Sequence, residues 1–91
     1  MEKQINKEYR NRLNELNEKL MEEEFTLDRL NNAVSAARHY LAAEPDNDER
    51  VLNLHGAIAN RNAQYKKVQS IREEFENMVN NVFANMEDKI C

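Results

Sequence analysis

Few residues in this chain could make or break bonds. Of its 91 residues, the histidines are His39 and His55, the serines are Ser35 and Ser70, and the one thiol is Cys91. A zinc or similar centre needs three or four nitrogen, sulfur or carboxylate ligands aimed at one point. On a helix, His39 and His55 fall at heptad positions f and e, which do not face a common pocket, and no cysteine lies near them. No metal or other cofactor is therefore expected. A single glycine cannot build a phosphate-cradling loop. Ser35 and Ser70 have no His–Asp arrangement around them. The carboxylates at 22–24 and 73–76 sit in runs that helices would expose, without the desolvated cleft that catalysis requires. The chain is expected not to be an enzyme.

The remaining chemistry is charge. Thirteen basic and 17 acidic residues give a net charge of −4, so the whole molecule has no global attraction for phosphates. The charges are nevertheless segregated. Glu22, Glu23, Glu24 and Asp28 form one acidic run, and Glu44, Asp46, Asp48 and Glu49 another. Arg50, Arg61, Lys66, Lys67 and Arg72 span 50–72 with no acid between them. That stretch could serve an RNA- or nucleotide-binding helical bundle. An internal match to the acids of 22–28 is the simpler expectation, and nucleic acid is not the partner expected on this reading.

The elements that carry these residues are long helices. One Gly and one Pro cannot supply the turns of a sheet-based fold. No apolar run reaches the ~18 residues of a transmembrane helix, and no charged n-region leads into an apolar stretch. One cysteine suits a reducing compartment. A cytoplasmic protein is expected, and 14 asparagines are in keeping with an AT-rich bacterial or phage genome. Pro45 biases Glu44 away from helix. The expected architecture is all-α: a helix over about 2–43, a loop over about 44–47 and a helix over about 47–88, folded back as one antiparallel coiled-coil hairpin. Asp46 followed by Glu49 predicts a capping box at the second start.

Heptad spacing specifies the seam. In the first helix, Leu13, Leu20, Leu27, Val34 and Leu41 take position a, and Tyr9, Leu16, Glu23, Leu30 and Ala37 take d. Asn6 and Glu23 are the polar interruptions. In the second, Val51, Ile58, Tyr65, Arg72, Val79 and Met86 are placed at a, with Leu54, Arg61, Val68, Phe75 and Val82 at d. A sustained seven-residue repeat implies left-handed supercoiling. Pairing outward from the loop brings Glu23 within about a turn of Arg72, an ion pair that would select register more than add stability. Gly56 falls on the outside at a cost of ~1 kcal/mol.

This register leaves a wide apolar flank on the second helix. Ile71 and Met78 fall at g, and Phe83 and Ile90 at e, beside Phe75, Val79, Val82 and Met86; Ile5 and Tyr40 widen the first helix. A lone hairpin of this size barely offsets its ordering entropy. Dimerisation into a four-helix bundle, or another small closed oligomer, is expected through Ile71, Phe75, Met78, Val82 and Phe83. Met21 and Phe25, one turn apart at b and f with Glu22 and Glu24 beside them, are the candidates for binding another protein. The expected function is that of a small adaptor or inhibitor that presents helix faces to a partner, with an assembly-chaperone subunit as an alternative.

The segment Leu41-Ala42-Ala43-Glu44-Pro45-Asp46-Asn47, with Arg61-Asn62-Ala63-Gln64, resembles the subunits of type III secretion needles over 41–64. Those are short helical hairpins with a Pro- and Asn-containing loop. The resemblance implies a subunit that polymerises through a non-closing contact. The chain departs from the pattern in two ways. Its Arg-Asn element lies closer to the loop, and residues 1–20 read as helix where needle subunits have a Ser/Thr-rich arm. No residue role follows from it.

Overall fold

A computed structural model describes residues 6–90, with side chains described for 6–81. Two helices, α1 (Lys7–Ala43, 37 residues) and α2 (Asp48–Ile90, 43 residues), make up the described chain. At 1.5 Å per residue they are about 55 and 65 Å long, matching extents of 67 × 21 × 16 Å. They form the expected hairpin.

Local chemistry sets the ends. Asn6, read from the sequence as a gap in the stripe, is the N-cap of α1: its Oδ1 accepts from the Glu8 amide at 2.7 Å. At the other end, the Glu44 amide donates to the Leu41 carbonyl at 3.0 Å, and Asn47 N donates to Glu44 O at 3.1 Å. The turn over 44–47 thus has Pro45 at its second position, where the fixed φ of proline is favourable. The Asp46–Glu49 capping box does not form. Asn47 caps α2 instead, its Oδ1 accepting from the Arg50 amide at 3.3 Å. Asparagine is as good a cap as aspartate, and the turn delivers it at the right place.

In α1 the less exposed residues are Tyr9, Leu13, Leu16, Leu20, Glu23, Leu27, Leu30, Val34, Ala37 and Leu41, joined off the stripe by Glu24. These are the expected a and d positions. The second helix requires a correction. Leu54, Arg61, Val68 and Phe75 face the seam as expected, but their companions are Ala57, Gln64, Ile71 and Met78. Of the column Val51, Ile58, Tyr65, Arg72 and Val79, Tyr65 is 50% and Val79 36% exposed on the flank, while Val51, Ile58 and Arg72 are half-buried at the edge of the seam. The expected register would have put Arg72 in the seam. The observed one puts Gln64 there, a neutral amide that is cheaper to desolvate than a guanidinium. Ile71, expected on an outward flank, is therefore buried inside the hairpin, and Met78 is half-buried along the seam.

The core is small: Leu20, Val34, Ala37, Val68 and Ile71 are buried. Leu20, Val68 and Ile71 form its centre, with Leu16, Leu27 and Phe75 packed against them. Toward the loop the seam narrows to Val34 and Ala37. A methyl group built on Gly56 would meet nothing within 4 Å, so this glycine has no packing role inside the hairpin.

Two expectations follow for thermal or urea unfolding. Ile71→Ala should cost about 2–5 kcal/mol, whereas Val79→Ala should cost under about 1 kcal/mol; equal losses would mean that α2 is rotated from the observed register. Gly56→Ala should stabilise by up to ~1 kcal/mol.

Candidate functional site

The charged face of the hairpin starts from Glu23, which occupies a d position where an apolar residue would be ordinary. Its carboxylate is compensated from α2. Gln64 Nε2 donates to Glu23 Oε2 at 2.7 Å and to the Glu23 carbonyl at 3.0 Å. Lys67 Nζ lies 3.1 Å from the same Oε2. The hydrogen bond from Gln64, then that from Lys67, holds the Glu23 pKa below the usual glutamate value; partial desolvation opposes this. The Glu23–Arg72 pairing expected from the sequence does not occur. Arg72 sits on the flank and its Nη2 pairs with Glu24 Oε2 at 2.8 Å, while its Nη1 donates to Gln69 Oε1 at 2.8 Å. The acidic run does face the basic run, with each pair displaced from the one expected.

A second cluster closes the loop end. Arg50, from the first turn of α2, reaches back across the hairpin. Its Nη1 donates to the Tyr40 carbonyl at 2.8 Å, and its Nη2 pairs with Glu44 Oε2 at 3.1 Å. Its guanidinium carbon lies 3.8 Å from the centre of the Tyr40 ring, within cation–π range. Asn47 Nδ2 donates to the same Glu44 oxygen at 3.0 Å. Arg50 Nε is buried without a partner. Sequence reasoning missed this clasp. The available signals were an unpaired C-terminal carbonyl at the end of α1 and opposite charges six residues apart across a Pro turn.

Arg50, Lys67 and Arg72 are thus each engaged by a carboxylate of the same chain. Within 50–72, Arg61 and Lys66 form no ion pair among the described residues. His39 and His55 are both exposed. No group of three or more potential metal ligands occurs among the described residues. None of the helices in that range is long and apolar enough to cross a membrane. The hollow between Arg12, Leu16, Lys19, Glu74 and Met78 is a shallow, open groove along the seam.

The apolar candidates divide. Met21 is 60% and Phe25 66% exposed on the back of α1. Glu22 lies exposed beside them, while Glu24 is tied to Arg72. Of the candidates for self-association, Ile71 is buried at 5% and Phe75 packs on the core cluster. Met78 is half-buried along the seam. The burial of Ile71 removes it as an outward contact; it was misassigned because α2 carries three adjacent apolar columns. Val82 and Phe83 lie outside the residues whose side chains are described. The exposed Leu52 and Tyr65, 66% and 50% accessible, were not among the candidates.

Glu23 gives the hairpin a defined acid sensitivity. Its folded pKa is lowered, so its contribution is complete above the unfolded value of about 4.3 and is lost as pH falls through the folded value. Glu23→Gln should melt below wild type at pH 7, and the gap should shrink on acidification from about pH 5 toward 3. Circular dichroism melts of both proteins check this; a gap independent of pH would show that the carboxylate is not selectively stabilised.

No protein-family model, curated protein sequence or solved structure matches this chain.

Proposed function

We propose that this protein is a non-enzymatic protein–protein interaction module, a small adaptor or inhibitor. It works as a small closed oligomer of hairpins and offers the outer face of α1 to another protein. The observation that carries the reading is the exposure of Met21 and Phe25, one helical turn apart on a well-formed helix. A flexible thioether beside an aromatic ring is an adaptable apolar anchor. Neither side chain contributes to the buried core, so their retention on the surface is not required for folding. The carboxylates of Glu18 and Glu22 flank the pair without an ion-pair partner among the described residues. They suit a partner with basic groups around an apolar pocket.

The RNA or nucleotide reading has less support, because most cations of its stripe already have carboxylate partners. A needle-like or other filament subunit would polymerise without limit, which the mass measurement described below would reveal.

The direct test is co-purification with tagged protein, comparing wild type, the Met21→Ala/Phe25→Ala double variant and Leu52→Ala. The double variant should lie within about 1 kcal/mol of wild type in stability. It should lose a protein that wild type and Leu52→Ala both retain. Retention of the same protein by all three would remove the α1 face from the mechanism.

A further inference from the structure

We infer that the flank of α2 is the contact surface for a second copy of this chain, docked antiparallel about a two-fold axis at Tyr65. The inference rests on the oligomer reading above and specifies its geometry.

The hairpin carries surplus surface. A compact 10.8 kDa monomer exposes about 5,500 Å², whereas this hairpin exposes 7489 Å². The surplus of roughly 2,000 Å² exceeds the ~800 Å² that each partner hides in a standard interface and falls in the range of obligate dimers. It is spread along a rod 67 Å long. A helix of average length would span only about 18 Å of it. A second hairpin has the matching length.

The residue pattern along α2 is self-complementary. Val51, Ile58, Tyr65, Arg72 and Val79 recur every seventh residue along this side of α2, Tyr65 and Val79 exposed and the other three half-buried with surface left to cover, and His55, Asn62, Gln69 and Glu76 lie four residues after the first four of them. Together they form one stripe. This stripe complements itself when reversed about Tyr65. Val51 then faces the partner's Val79, and Ile58 faces the aliphatic stem of the partner's Arg72, whose charge Glu24 holds at 2.8 Å. His55 faces the partner's Glu76. Asn62 faces the partner's Gln69, whose oxygen already accepts from its own Arg72 and whose amide hydrogens remain to donate. Tyr65, half exposed in the single hairpin, meets its own copy. A two-fold contact must be self-complementary in this way. The α1 edge of the same face is polar, with Asn17, Glu24, Asn31 and Arg38, so the contact centres on α2.

The test uses the full chain with Cys91→Ser as background. Light scattering should give twice the chain mass, and Tyr65→Glu should halve that mass while keeping the helical circular dichroism signal. A short bis-maleimide should link Tyr65→Cys to itself. It should not link Val51→Cys to itself, because those thiols would lie about 42 Å apart, but should link Val51→Cys to Val79→Cys in a mixture. A wild-type chain that stays at single mass at its highest soluble concentration would overturn both this inference and the oligomer reading. A dimer in which Tyr65→Cys fails to link would overturn the axis alone.

Discussion

The bond from Gln64 to Glu23 decides how the two helices meet. A glutamate in a coiled-coil seam is tolerable only where something answers its charge. Gln64 does so twice, through the carboxylate and the backbone carbonyl, and Lys67 completes the cage. Sliding α2 by one heptad would place Ala57 or Ile71 opposite Glu23 and leave the carboxylate unanswered. Apolar contacts along the seam are much less discriminating, since one leucine resembles the next. The register of the hairpin, and therefore which residues lie inside and which outside, depends on this polar contact.

That register has a consequence for the surface. Turning Gln64, Ile71 and Met78 inward turns Tyr65 and Val79 outward and leaves Val51 and Ile58 half-buried at the seam's edge. The seam gains a satisfied carboxylate, and the flank gains an apolar column broken by a neutralised arginine. The same arrangement engages most of the cations of 50–72 with carboxylates. What is left for recognition is shape and apolar surface, with the α1 back face and the α2 flank on different sides of the rod. The proposed roles, self-association on one and partner binding on the other, do not compete for the same residues.

The fold was legible where one column of large aliphatic residues stood alone. In α1, Leu13, Leu20, Leu27 and Val34 repeat with no apolar rival, and every seam position was readable. In α2 three neighbouring columns are apolar enough to serve, and periodicity alone cannot choose among them. The choice was made by Gln64, which looks like a surface residue until its partner across the hairpin is known. The helix caps failed for a related reason: Asn6 and Asn47 act through their position relative to a helix end, which hydrophobic spacing does not fix. The exposure of Met21 and Phe25 was legible because their heptad positions lie opposite an unambiguous seam. Ile71 was misread because its seam was ambiguous.

The Arg50 clasp fastens the loop end of the rod. At the loop, one guanidinium joins the last turn of α1 to the first turn of α2, through a carbonyl, a carboxylate and an aromatic ring. The connection spans four residues, so closing it costs little chain entropy. Separation of the helices would then reach Arg50 last. Folding would run the same course in reverse, with the turn as nucleus and mostly local steps, a topology associated with fast folding.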